Sequence, residues 1–355
     1  MRAKGKRMFL AIFFSTIFVL GNAGLLFMSQ PSFGRLPTGA RLERIRNSPN
    51  YRDGKFQNLT PTKMMPGAKE TEAEKAARTG NRVPKEPLQM EVTDLKALPR
   101  DRDWLVWFGH SSYLMMLGGK TFLVDPVFYK GSPVSFVNKM FPGTDKYKAE
   151  DMPEIDYLVI SHDHYDHLDY EAVTKLRKKV KRVICPLGVG EHFEYWKYKP
   201  EQLVELDWWE AAELESGFRL ECTPARHFSG RTFNMNQSLW ASYVLETPGR
   251  KLYLGGDSGY DSHFRQIAAK HPGIDLAILE NGQYNTRWKD IHTMPEYLPK
   301  VMKEIGAKRV MTVHNSKFSL APHDWDEPLK NARSAAKAAG VPLVEPGMGS
   351  VFYLD

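Results

Sequence analysis

Cysteine is scarce in this chain. Only Cys185 and Cys222 occur in 355 residues, each inside an apolar run, VICPLG and LECTPA. A zinc site built on thiolates needs more sulfur than this. The pair therefore reads as two buried thiols rather than a metal clamp or a disulfide framework. No internal repeat and no low-complexity tract appears. No G-x-S-x-G run occurs either, which removes the nucleophile elbow of the serine hydrolases. A uniformly basic surface is also missing. Residues 1–100 hold 18 Lys and Arg against 8 Asp and Glu, whereas residues 101–355 hold 31 against 34. Phosphate-tracking surfaces are usually basic, so the acidic-leaning body argues against nucleic acid as a partner.

Long hydrophobic runs are almost absent too, with one exception. Met8 to Met28 contains no charged residue in 21 positions, and Arg2, Lys4, Lys6 and Arg7 precede it. A helix of roughly 20 apolar residues crosses a bilayer, and the run exceeds the 7–15 residues usual in a cleaved signal. Residues 1–30 are accordingly expected to be an uncleaved membrane anchor, with a cleaved signal ending near Gly21-Asn22-Ala23 as the alternative. No cysteine follows the run, so a lipoprotein anchor is excluded. Positive charge before the helix places the N-terminus in the cytoplasm and the body on the non-cytoplasmic, periplasmic side, although Arg35, Arg41, Arg44 and Arg46 complicate that orientation. Residues 31–98 are rich in Pro, Gly and basic residues with poor periodicity. They read as a basic, extended arm or linker, suited to an anionic lipid surface.

The texture changes near residue 99, where a catalytic domain running to 355 is expected. Short β-like runs appear at 104–109, 112–117 and 121–128, and Gly118-Gly119 between the last two is a hairpin signal. Further strands are expected at 156–162, 182–186, 218–225, 239–246, 251–257, 275–281 and 309–314. Helical spacing occurs at 171–179, 263–271 and 295–306. Strands mixed with helices in this order predict an α/β layered protein.

The chemistry concentrates in HDHYDH, residues 162–167. The apolar run IDYLVI comes directly before it, so the cluster caps a buried strand, and a rigid strand end can aim several side chains at one point. Imidazole and carboxylate both bind zinc well. His162, His164, Asp166 and His167 crowd four such groups into six residues, and crowded polar groups of this kind need a cation to compensate them. One cluster cannot complete two sites. His227, Asp257 and His314 follow apolar runs in the same manner and are the candidate remaining donors.

The order H-x-H-x-D-H, His, Asp, His resembles the metallo-β-lactamase superfamily. More narrowly, the chain resembles the N-acyl-phosphatidylethanolamine-hydrolysing phospholipase D branch. The matching pieces are FGHSSY (108–113), FLVDPVF (122–128), ISHDHYDHLD (160–169), VELDWWE (204–210), TPARHF (223–228), GGDSGY (255–260), the region of Tyr284, Arg287 and Trp288, and His292. The resemblance covers about residues 100–330. It implies a four-layered αββα sandwich and two zinc ions, one held by His162, His164 and His227, the other by Asp166, His167 and His314, with Asp257 bridging. It also implies a catalytic part for Asp166, Asp257 and His292. The chain departs from that branch at Asn315-Ser316-Lys317 and at Glu280-Asn281-Gly282-Gln283, both expected beside the metals, so the substrate is less constrained than the metals.

The expected reaction is metal-assisted hydrolysis of a phosphodiester in a membrane phospholipid. A lactonase or esterase acting on a small soluble substrate is the alternative, since the same dinuclear site supports it. A metal-dependent nuclease is disfavoured by charge, and a purely structural metal by the number of donors, because a structural site is closed with four ligands on one ion. Trp208, Trp209 and Trp288 are candidates either for an acyl groove or for core packing. Iron or manganese are alternatives to zinc, and the oligomeric state is left open.

Overall fold

The computed structural model describes residues 22, 24, 26–64, 72–77, 80–134, 136–215 and 217–355. The Met8–Met28 run expected to cross a membrane falls, but for its last residues, outside them. Among the described residues, no helix is long and apolar enough to span a bilayer.

Sixteen strands are present among the described residues: β1 (Tyr51–Arg52), β2 (Lys55–Phe56), β3 (Trp104–Trp107), β4 (Tyr113–Leu117), β5 (Lys120–Val124), β6 (Ile155–Val159), β7 (Val180–Pro186), β8 (Leu203–Leu206), β9 (Ala211–Glu215), β10 (Phe218–Thr223), β11 (Ser242–Glu246), β12 (Lys251–Leu254), β13 (Leu276–Glu280), β14 (Arg309–Val313), β15 (Leu343–Val344) and β16 (Val351–Tyr353). Apart from the small β1–β2 ribbon, they form two seven-stranded sheets, ordered β16-β3-β4-β5-β6-β7-β8 and β15-β14-β13-β12-β11-β10-β9. Both sheets are mixed. Strands β5 to β8 and β12 to β15 run parallel, and the rest pair antiparallel.

The layers follow from the two-residue period of a strand. Leu105, Trp107, Tyr113, Met115, Phe122, Val124, Tyr157 and Val159 point into a core shared with Leu220, Tyr243, Leu245, Leu252, Ile278 and Met311 of the opposite sheet. Their neighbours Trp104, Val106, Leu114, Met116, Leu123 and Leu158 face outward and pack with Ala172, Val173, Leu176 and Phe193. Those residues belong to helices Tyr170–Leu176 and Gly190–Tyr195. On the other side, Val244, Tyr253, Ala277 and Val310 pack against Ile267, Leu298, Val301 and Ala335, from helices His263–Lys270, Leu298–Glu304 and Glu327–Ala339. Helices thus cover the outer face of each sheet, which is the layered α/β arrangement expected. The hairpin at Gly118-Gly119 forms as read: Leu117 pairs with Lys120, and both glycines take positive φ, 52° and 78°, as a two-residue turn of this type demands.

Several elements escape the sequence reading. Strands β8, β9, β15 and β16 are short or half-buried edges. The longest described helix, Glu327–Ala339, is missed because its buried face is Pro328, Ala332, Ala335 and Ala336, small residues that give little hydropathy contrast.

The arm packs closely on the sheets. It carries helix Gly39–Arg46, whose Arg41 bridges Glu191, Glu194 and Glu205. Phe56 and Ile45 sit fully buried in the inter-sheet core. Asn58 accepts from the backbone of His227 at 3.1 Å and donates to its carbonyl at 2.8 Å. The arm therefore braces a residue of the candidate site.

Candidate metal centre

Each proposed donor lies just past a strand end on one rim of the sandwich. The HDHYDH turn follows β6, His227 follows β10, Asp257 follows β12 and His314 follows β14. Strand alternation stops there, and the chain turns across the rim. Five residues of this rim hold left-handed backbone without being glycine: His110 (φ 51°), Asp125 (φ 39°), Gln283 (φ 56°), His314 (φ 69°) and Ser316 (φ 63°). Such conformations persist only where the surroundings enforce them, and they gather at functional sites.

The structure brings all seven expected donors together, in two adjoining sets. In the first, His162 Nε2 stands 2.9 Å from His164 Nδ1, and His227 Nε2 stands 3.2 Å from that same atom. Around a tetrahedral ion holding nitrogen at about 2.0–2.1 Å, donor atoms are about 3.3 Å apart, so this trio is spaced for one ion. In the second, donor atoms of Asp166, His167 and His314 gather with His110 within 4.8 Å of one another. Asp257 lies between the sets. Its Oδ2 is 3.1 Å from His167 Nε2, 3.7 Å from His227 Nε2 and 4.0 Å from His162 Nε2, and its Oδ1 is 3.0 Å from His314 Nδ1.

Nearly all of this is buried, and the polar accounts do not close without a cation. His167 Nε2 and Asp257 Oδ1 are buried, and their contacts at 3.1 Å and 3.0 Å are not aligned as hydrogen bonds, an arrangement that costs about 1–3 kcal/mol per atom. Burial, then mutual repulsion among the rings, holds His162, His227 and His314 well below the usual imidazole range. Burial brings His164 down to about 4. These rings stay neutral, the form that binds metal. Burial pushes the Asp257 carboxyl up to about 6. Burial also opposes charge on His167, but Asp257 and Asp166 outweigh it and raise that ring. A nitrogen- and oxygen-rich donor set of this kind suits zinc and its divalent neighbours.

The rings are aimed from behind. His227 Nδ1 donates to the Ile291 carbonyl at 2.8 Å, leaving Nε2 free toward the site. His167 Nδ1 pairs with Asp125 Oδ2 at 2.8 Å, and Asp125 is itself held by the backbone N–H and hydroxyl of Ser161. His110 Nε2 lies 2.9 Å from Asp166 Oδ2. Burial opposes charge on the Asp166 carboxyl, but the neighbouring His167 and the contact with His110 outweigh it and hold that carboxyl below the carboxylate range. It therefore accepts, and His110 donates. Outer partners of this sort fix ligand orientation in metal sites. The sequence reading quotes FGHSSY and FLVDPVF without giving His110 or Asp125 a role. Each is a polar residue just past an apolar strand, which marks its place on the rim but not the side chain it orients.

His292 is buried, not a surface residue of its loop. Its Nδ1 contacts Glu280 Oε1 at 2.8 Å, and Thr293 N–H donates to the other carboxyl oxygen. Its ring centroid is 5.1 Å from that of His227 and 5.3 Å from that of His314. A pocket of about 230 Å³ adjoins the donors, lined by His164, Asp257, His292 and His314 together with Met64, Phe228, Gln283, Trp288 and Leu320. Of the three tryptophans considered for a groove, only Trp288 lines it. Trp208 lies in the inter-sheet core, and Trp209 packs against that core. Cys185 and Cys222 are both buried and unpaired.

Residues 120–315 match the family model of the β-lactamase superfamily domain. An uncharacterized protein of Mycobacterium tuberculosis is 37% identical over 308 residues, covering 84% of this chain and 82% of that one. The N-acyl-phosphatidylethanolamine-hydrolyzing phospholipase D 1 of Caenorhabditis elegans is 31% identical over 266 residues, covering 68% and 73%. Among solved structures, the metallo hydrolase Igni18 from Ignicoccus hospitalis superposes with a TM-score of 0.55 at 18% identity, covering 71% and 97%, a likeness of fold. The chain belongs to the metallo-β-lactamase superfamily and is a metal-dependent hydrolase. Within it, it falls in the branch of the N-acyl-phosphatidylethanolamine-hydrolysing phospholipases D.

Proposed function

We propose that the protein is a phosphodiesterase of the phospholipase D type, acting on N-acylated or related membrane phospholipids with two zinc ions. His162, His164 and His227 would hold one ion and Asp166, His167 and His314 the other, with Asp257 between them. Bound there, the pair supplies a water of lowered pKa and Lewis acidity toward a phosphoryl oxygen. The chain's own residues do the rest. Asp166 and Asp257 accept hydrogen bonds from the attacking water, and Asp257 takes the proton that water loses and passes it to His292, whose donor atom lies within 4.8 Å of it. His292, steadied by Glu280, delivers a proton to the departing head-group oxygen through its other nitrogen. The phosphorus–oxygen bond to the head group breaks, the water oxygen joins phosphorus, and phosphatidic acid and the protonated head-group alcohol leave.

The observation that carries this reading is the distribution of polarity in the pocket. Apart from the donors, His292 and Gln283, its lining is apolar: Met64, Phe228, Trp288, Ile291 and Leu320. That wall suits acyl or glyceryl carbons better than a hydroxylated lactone. The named phospholipase relatives support the same substrate class. In this reading residues 1–30 anchor the chain, residues 31–98 form the arm that braces the site, and residues 99–355 carry the hydrolase on the non-cytoplasmic side of the membrane.

The test is a product assay on the purified protein with N-acyl-phosphatidylethanolamine, other phosphodiesters and simple lactones. Phosphatidic acid released from the lipid, and lost on chelation, is the expected result. Lactone hydrolysis without phosphatidic acid overturns the assignment in favour of the small-substrate alternative.

A further inference from the structure

We propose that two loops beside the HDHYDH turn, 130–139 and 230–236, form a docking surface for an anionic phospholipid bilayer, with Phe136 and Phe233 entering at headgroup level. The proposal rests on the phospholipid reading above and extends it to the surface beside the HDHYDH turn.

Single exposed apolar residues need no explanation. Here, however, Phe233 is 90% exposed and Phe136 74% exposed, with Val137 beside it, on separate loops that line one cavity beside Tyr165 of the HDHYDH turn. Loop 130–139 leaves the rim after β5, and a Cβ on its Gly131 would touch the Phe318 ring at 2.9 Å. That ring lies 5.1 Å from His110. Loop 230–236 follows His227 and is tied to the HDHYDH turn, because Tyr165 donates its hydroxyl to the Arg231 carbonyl at 2.6 Å. A cavity of about 270 Å³ lies between the loops, lined by Ser132 and Pro133 from one and Arg231 from the other.

Loop 230–236 is presented rather than loose. The Arg231 guanidinium is buried and donates to the carbonyls of Ser32, Asp163 and Leu168, so the loop's base is fixed while Phe233 stands out from it. An aromatic ring on a rigid stalk suits the boundary between headgroups and acyl chains.

Two further features select a lipid surface rather than a protein. The hollow beside Val137 carries Lys130, Lys139 and Lys148 against the single acid Asp145, which attracts anionic headgroups. In addition, the Phe27 ring packs on Phe33 at 5.1 Å, and Phe33 on Tyr165 at 6.2 Å. Phe27, at the described end of the uncharged Met8–Met28 run, therefore lies one ring away from Tyr165 and this same cavity.

Cys185 and Cys222 are fully buried, so an introduced surface cysteine can be labelled selectively. The test uses the full chain with Phe136→Cys or Phe233→Cys, carrying an environment-sensitive fluorophore, in phosphatidylcholine–phosphatidylglycerol vesicles. Glu201→Cys, at the far end of the parallel strands, is the control. Expected are a blue-shifted emission and quenching by lipids brominated on the acyl chain at 136 and 233, with neither at 201. Labels at 136 and 233 that behave like the control, whether or not the chain sediments with the vesicles, overturn the proposal. Insertion is read without turnover. Quenched labels on an enzyme that spares phospholipid would refute the substrate reading alone, and unquenched labels on an active phospholipase would refute the docking surface alone.

Discussion

Replacing His110 by phenylalanine keeps a ring of similar volume in a fully buried position and removes the donor that faces Asp166 Oδ2 at 2.9 Å. Asp166 is charged, and a hydrogen bond to a charged group contributes about 1.5–3 kcal/mol. Loss of a partner that orients a ligand weakens metal affinity by roughly 10–100-fold, and the two figures agree. The loss should be selective. Asp166 belongs with His167 and His314, so the ion they would hold weakens by that factor. The trio of His162, His164 and His227 has no contact with His110 and should retain its ion. Chelator competition, followed by metal stoichiometry on the wild type, His110→Phe and His110→Gln, gives the measurement. His110→Gln, which keeps a donor, should recover part of the loss. Equal retention of both ions in folded His110→Phe would refute the reasoning, as would equal loss of both.

Three further outcomes follow from the geometry. His164→Ala and Asp257→Ala should each abolish hydrolysis while circular dichroism stays close to wild type, and turnover near wild type in either variant would remove that residue from the site. A Cβ on Gly282 would lie 2.2 Å from the His314 carbonyl, backbone that cannot swing aside. Gly282→Ala should therefore lower stability by about 2 kcal/mol or more, read by denaturant unfolding, and cut activity by displacing His314. Lys317 is buried, with the Phe108 carbonyl as the one hydrogen-bond acceptor of its amine among the described residues, and burial lowers that amine from the ordinary 10.5 to about 7. Between those values the unfolded chain binds the extra proton, so the folding penalty is absent above about pH 10.5 and grows as pH falls toward 7. Lys317→Met should raise the Tm at pH 7 and gain progressively less toward pH 10; a gain independent of pH would show that the amine is not the cause.

The sequence exposes some parts of this protein and hides others for physical reasons. The donors are legible because polar residues interrupt apolar runs where strands end, and HDHYDH does so four times within six residues. The inter-sheet core is legible through strand alternation in runs such as WLVW and YLMML. Helix Glu327–Ala339 is hidden because alanines bury without a strong hydropathy signal. The arm is hidden for another reason. Its anchoring groups are polar, namely Arg41 on three glutamates and Asn58 on the His227 backbone, so composition resembling a linker conceals a segment packed into the core through Ile45 and Phe56. His110 and Asp125 are hidden in a third way. They act through other residues, and one chain without its fold does not show that His110 stands behind Asp166 or Asp125 behind His167.

The most direct measurement is elemental analysis of the purified full chain, paired with phosphatidic acid release before and after metal removal. The account requires close to two transition-metal ions per chain, with turnover that vanishes on chelation and returns on readdition of zinc. A native preparation free of transition metal, or hydrolysis that survives complete stripping, would contradict it.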